Sequence, residues 1–113
     1  MADYTSKNYW QNLVKMSLSR YYVMFSLSQK PMHGYDISKW IGEVTKDCCR
    51  PTEGSLYPML KEFEQGGYVT SEIISVSGRE RKVYTITEKG LEAFRIAQDV
   101  WGQTAELLRA SMP

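Results

Sequence analysis

A chain of 113 residues with 42% hydrophobic content can bury one core but not two. Its longest apolar run, Tyr21 to Phe25, is far too short to span a bilayer, and no signal peptide is recognisable, so a soluble cytoplasmic protein without a membrane partner is expected. The formal net charge of +1, with balanced charge over residues 30–89, removes any global attraction to phosphate and leaves nucleic-acid affinity to local placement.

Residues 1–8 read as weakly ordered, and Asn12 to about Gln29 as a first helix. Its apolar residues, Leu13 and Met16 among them, spread around most of the circumference, more than one buried face requires. Lys30-Pro-Met-His-Gly34 breaks the helix, because proline biases the residue before it away from the helical basin. Ile37, Trp40, Ile41 and Val44 then fall at helical spacing and predict a second, short helix. Adjacent Cys48 and Cys49 follow at its exit. Neighbouring cysteines bridge each other only with strain, and no second pair completes a four-ligand metal site, so ordinary reduced thiols are expected, with a thiol sensor as the alternative. The lone His33 is expected to start a helix or pack, with neither a metal nor a cofactor to hold.

A third helix is predicted from near Thr52 to Gln65, stopped by Gly66-Gly67. Leu56, Met59, Leu60 and Phe63 share one face, and Gly54, Tyr57, Pro58, Lys61 and Gln65 share the other. A face of glycine, phenol and one lysine is ill suited to plain solvation and well suited to close approach to another surface. Pro58 places the helix start close to Glu53 to Ser55. Tyr68 to Val76 is rich in β-branched residues, Ser77 to Glu80 carries a turn signal and Lys82 to Thr87 alternates, which predicts a hairpin with a basic tip. Two helices followed by a hairpin form a winged helix-turn-helix, an α+β fold, over residues 1–87.

A last helix capped by Thr87 and running to about Ala110 occupies residues 88–113. Phe94, Trp101 and Leu108 recur every seven residues, with Ala97 and Ala105 in the same seam. Such spacing favours a partner helix, and a homodimer would cover this seam together with the surplus apolar surface of the first helix. The alternative is that the last helix folds back on its own domain. An enzyme is disfavoured, since the only histidine has no evident nucleophile or metal beside it and no phosphate-cradling glycine loop is present.

Four blocks, Lys30-Pro-Met-His-Gly-Tyr-Asp-Ile37, Pro51-Thr-Glu-Gly-Ser-Leu-Tyr-Pro-Met-Leu60, Gln65-Gly-Gly-Tyr-Val-Thr-Ser71 and Gly78-Arg-Glu-Arg-Lys-Val-Tyr-Thr-Ile-Thr-Glu-Lys-Gly90, resemble in order and spacing a small PadR-family transcriptional regulator. The resemblance covers roughly residues 13–110 and is to the compact branch with one C-terminal helix. It departs in the wing, which in the family often reads Gly-Gly-Arg-Pro-Arg-Lys with a following tyrosine; here Glu80 separates the arginines and Val83 follows Lys82. The resemblance implies a dimeric repressor of double-stranded DNA whose paired recognition helices enter successive major grooves of an inverted repeat. By position it implies recognition contacts from Ser55, Tyr57 and Lys61 and wing contacts from Arg79, Arg81 and Lys82. Tyr35 is either a phosphate contact or a core-edge tyrosine. Compact members that respond to drugs sandwich planar aromatic ligands on a tryptophan matching Trp101. For such an effector Phe94, Val100, Gln98 and Asp99 are the expected neighbours, with Leu13 and Met16 as the far wall. The competing reading is a winged-helix protein-interaction module that does not bind DNA.

Overall fold

The computed structural model describes residues 1–113. In chain order it contains α1 (Lys7–Gln29), the two-residue β1 (Met32–His33), α2 (Gly34–Val44), α3 (Glu53–Gln65), β2 (Val69–Val76), β3 (Arg79–Ile86) and α4 (Glu88–Ala110). The strands form one antiparallel sheet in the order β1-β3-β2. With α2 and α3 as the helix pair and β2–β3 as the wing, this is the expected α+β winged helix-turn-helix, flanked by two long helices.

The apolar stripes assemble as their spacing requires. Leu56, Met59, Leu60 and Phe63 of α3 are buried against Ile37 and Ile41 of α2, Val23 and Leu27 of α1, and Val69 and Tyr84 of the sheet. Each fully buried aliphatic side chain there contributes roughly 1.5–3 kcal/mol. Val44, read as part of the α2 stripe, is exposed instead, one turn beyond the last core contact at Ile41. Thr52 caps α3 by accepting the Ser55 amide at 3.3 Å, and Thr87 caps α4 by accepting the Gly90 amide at 3.1 Å. Because α3 begins at Glu53, Pro58 falls in its second turn, where its missing N–H leaves the Gly54 carbonyl without the usual helical partner.

Three elements differ from the sequence reading. Helix α1 starts at Lys7, well before Asn12, and the segment ahead of it is locally tied. The Ser6 amide donates to the Asp3 carbonyl at 3.1 Å, the Trp10 indole N–H donates to the Tyr4 carbonyl at 2.9 Å, and the rings of Tyr4, Tyr9 and Trp10 pack on one another. The break before α2 is also a strand, with Met32 opposite Tyr84 and His33 opposite Val83. Two residues are too few to show alternation. Finally, the wing turn is only Ser77-Gly78, with φ of 52° and 77°. Positive φ at both central residues is the turn whose twist matches a hairpin, so Arg79 and Arg81 are strand residues in register with Val76 and Ile74.

Helices α1 and α4 run antiparallel. Phe94 stacks on Phe25 with centroids 5.8 Å apart and lies 5.3 Å from the Tyr21 ring. The buried residues of α1 begin at Ser19 and those of α4 end at Phe94. The other half of each helix therefore projects from the core, giving a molecule 54 Å in its longest dimension. No helix is long and apolar enough to cross a membrane.

Candidate nucleic-acid interface

The outward face of α3 is organised around Tyr57. Its ring lies across Gly34 at the start of α2, so closely that a Cβ on Gly34 would sit 2.6 Å from the phenol. Only glycine permits that approach. With 43% of its surface still exposed, Tyr57 joins two shallow depressions. Tyr35, His33 and Arg81 line one, Lys61, Glu64 and Gln65 line the other, and Lys82 and Tyr84 belong to both. Tyr35, Tyr57, Lys61, Arg81 and Lys82, five of the seven contacts expected from sequence, thus share one continuous surface.

Ser55 and Arg79 stand apart from this cluster. The Ser55 hydroxyl donates to the Thr52 carbonyl at 3.1 Å, in a groove between α3 and α1 that also holds Arg20 and Met16. Arg79 sits beside the hairpin tip opposite Val76.

The cations of this surface are held but not consumed. Lys82 Nζ lies 3.5 Å from Glu64 and 5.6 Å from the Tyr84 ring. Glu64 also accepts a hydrogen bond from the Ser71 hydroxyl, which holds its carboxyl below the usual carboxylate range, with the Lys82 charge acting in the same direction. An exposed pair of this kind is worth about 0–1 kcal/mol, so Lys82 can exchange Glu64 for a phosphate at little cost. Arg81 Nη1 lies 3.1 Å from His33 Nε2, and the same nitrogen is 3.0 Å from Asp36. Lys61 takes part in none of the ion pairs of the chain. Sequence reasoning missed His33 as the partner of Arg81 and Gly34 as the floor under Tyr57. The signal lay in the His-Gly-Tyr triplet, but only the pairing of β1 with β3 brings it beside the wing.

A second site lies between the projecting halves of α1 and α4. Leu13, Tyr21, Gln98, Trp101, Ala105 and Leu108 are among the residues lining a groove of about 570 Å³. Four expected members are elsewhere, and of these Asp99 and Val100 are exposed on α4 outside the groove. Phe94, read both as a seam residue and as a ligand neighbour, is only 6% exposed and stacked on Phe25 of its own chain. At that point α4 folds back on its own domain, because the aromatic cluster of α1 supplies a ready partner. Met16, read as the far wall with Leu13, lines the groove against α3 instead. Ala97 is half-buried at the base of the seam.

A helix-turn-helix with an exposed tyrosine and lysine on its second helix, flanked by a basic hairpin, places the chain in the winged-helix class. Within that class, the model of the "Transcriptional regulator PadR-like family" matches residues 23–96, and the chain belongs to that family. Members of the family are transcriptional regulators, not enzymes. The "Transcriptional regulator Rv3488" of Mycobacterium tuberculosis is 31% identical over 74 residues, a stretch spanning 66% of each chain. A PadR-like transcriptional regulator of Bacillus cereus superposes with a TM-score of 0.74 at 25% identity, over 84% of this chain and 91% of its own. Bacillus subtilis PadR, solved in complex with operator DNA, gives a TM-score of 0.62 at 25% identity, over 67% of this chain and 44% of its own.

Proposed function

We propose that the protein is a dimeric, sequence-specific repressor in the cytoplasm that binds an inverted repeat in double-stranded DNA and is released by a planar aromatic effector. The observation that carries the DNA-binding part is the single exposed surface shared by Tyr35, Tyr57, Lys61, Arg81 and Lys82. In this reading α3 enters the major groove, Tyr57 and Lys61 reach base edges, and the wing cations contact the flanking phosphates. Ser55 reaches DNA from the first turn of α3, and Arg79 from the wing tip. That Bacillus subtilis PadR, a structural neighbour, was solved in complex with operator DNA supports binding to double-stranded DNA. Fluorescence anisotropy on the chain's own upstream region, across a salt series, tests it. Replacing Arg79 and Arg81 with alanine is expected to weaken specific and random DNA by similar factors and to flatten the salt slope by about 0.9 per lost phosphate contact. A loss confined to the specific site would instead make these arginines base readers.

The dimeric part rests on exposed apolar residues of the projecting halves, Leu13 and Val14 on α1 and Val100, Leu107 and Leu108 on α4. Trp101, Ala105 and Leu108 then form the joint with Ala97 at its base, while Phe94 anchors α4 from inside the monomer. Because Trp101 lines the α1–α4 groove with Gln98 and Leu13, a flat aromatic cation wedged there gains from the indole face and alters the separation of the subunits. That separation sets the spacing of the recognition helices. Planar cationic dyes are expected to quench Trp101 and to lower DNA affinity, and the Trp101→Ala protein should do neither. Equal dye affinity in that variant would make Trp101 an interface anchor only.

A further inference from the structure

The turn between α2 and α3 holds a feature that neither the DNA surface nor the α1–α4 groove uses. Cys48 and Cys49 are free thiols with their Sγ atoms 3.1 Å apart. Cys48 is exposed, whereas Cys49 is 2% exposed and belongs to the same core cluster as Ile41 and Leu56. Thr45, the C-cap of α2, fixes both: the Cys48 amide donates to its carbonyl at 3.1 Å, and the Cys49 amide donates to its hydroxyl at 3.2 Å. Between cap and thiols, Lys46 and Asp47 adopt φ of 53° and 63°, a left-handed pair that is uncommon away from glycine. Burial pushes the Cys49 thiol up to about 12, with the Cys48 contact adding to the effect.

What two adjacent thiols can bind follows from their spacing. Consecutive Cα atoms stand about 3.8 Å apart, below the roughly 4.4–6.8 Å of ordinary disulfides, so a direct S–S bond here would be strained and easily reduced. A larger atom inserted between the sulfurs relieves that strain. With bonds of about 2.3 Å to each sulfur, the length of a zinc–thiolate bond, one centre holds two sulfurs roughly 3.2–3.8 Å apart for bond angles near 90–110°. The observed 3.1 Å is already close to that span. Zinc itself requires four ligands, and nowhere does the chain gather three or more histidine, cysteine or acidic side chains around one point. Trivalent arsenic needs only two thiolates, because a hydroxyl or aryl group takes its third position.

We propose that Cys48 and Cys49 form a vicinal-dithiol site for trivalent arsenic, as arsenite or an organic arsenoxide, and that its occupation weakens DNA binding. Capture begins at exposed Cys48 and is completed by Cys49. Two As–S bonds form as two As–O bonds of arsenite break, each thiol proton leaving with a hydroxyl as water. With an arsenoxide the As=O bond breaks and both thiol protons leave with its oxygen as one water. In either case arsenic stays trivalent, so no oxidant or reductant is consumed. To reach the arsenic, Cys49 must leave the core. The turn it leaves also carries the Arg50 to Ser38 and Ser38 to Pro51 hydrogen bonds, both 3.2 Å, that tie α2 to the start of α3. Displacing it shifts the recognition helix against α2. The coupling is reciprocal, so bound DNA should protect the thiols. This second half rests on the DNA-binding reading; the arsenic site does not.

The experiment uses the full chain and phenylarsine oxide, read by intact mass after a wash with a monothiol and again after a dithiol. One arsenical per chain is expected, resistant to the monothiol and removed by the dithiol. Cys48→Ser, at an exposed position, should stay folded by circular dichroism and lose the resistant adduct. Cys49→Ala should lose it as well. Arsenical treatment should lower operator affinity at least tenfold in the unmodified chain and leave Cys48→Ser unchanged. An unmodified chain without a resistant adduct, or a Cys48→Ser protein that keeps one, overturns the site. A resistant adduct with unchanged operator affinity overturns the coupling. An untreated chain that fails to bind DNA overturns the DNA reading and the coupling together, while the mass measurement still decides the site.

Discussion

Lys61→Ala should lower operator affinity by about 1–3 kcal/mol, roughly 5- to 150-fold, the range for a side chain that reads a base edge. Thermal stability should stay within about 0.5 kcal/mol, because Lys61 is exposed and joins no ion pair of the chain. The contrast with Tyr57→Ala makes the experiment diagnostic. Tyr57 covers Gly34, so its truncation uncovers the junction between α2 and α3 and is expected to cost stability as well as affinity. A Lys61→Ala protein with the affinity of the unmodified chain for the specific site would remove α3 from the base-reading position. Loss of specific and random binding by one common factor would make Lys61 a phosphate contact instead.

The part of this surface that could be read in the sequence is the part set by short-range periodicity. The α3 stripe of Leu56, Met59, Leu60 and Phe63 forces Tyr57 and Lys61 outward, and the alternation after Gly78 places β3 beside β2. Long-range pairings were not legible. The contact of Arg81 with His33 exists only because β1 pairs with β3, and β1 has two residues, too few for a pattern. Spacing alone also could not say whether Phe94 faces a partner chain or its own. The choice is made by Phe25 and Tyr21, which present an aromatic surface on α1 at the height where α4 begins. The first turns of α1 were hidden for another reason. Aromatic residues are mediocre helix formers, and Tyr9 and Trp10 join the helix through ring packing with Tyr4 that no propensity scale includes.

Leu108→Asp is the sharper test of the assembly, because its effect depends almost entirely on whether a second chain is present. In the single chain Leu108 is 54% exposed on the projecting half of α4, where a carboxylate stays largely hydrated and stability should change by only about 0.5 kcal/mol. In a dimer seam the same carboxylate would be desolvated without a partner, at a cost on the order of several kcal/mol. Sedimentation is therefore expected to find a dimer for the unmodified chain at low micromolar concentration and a folded monomer for the variant. Operator affinity should fall by roughly 10²- to 10⁴-fold, since the second half-site is then no longer bound as an intramolecular event. An unmodified chain that sediments as a monomer, or a variant that remains dimeric, would refute the seam. Phe94→Ala could not substitute for this experiment, because Phe94 is packed inside the monomer and its removal would cost about 3–5 kcal/mol of folding stability whatever the oligomeric state.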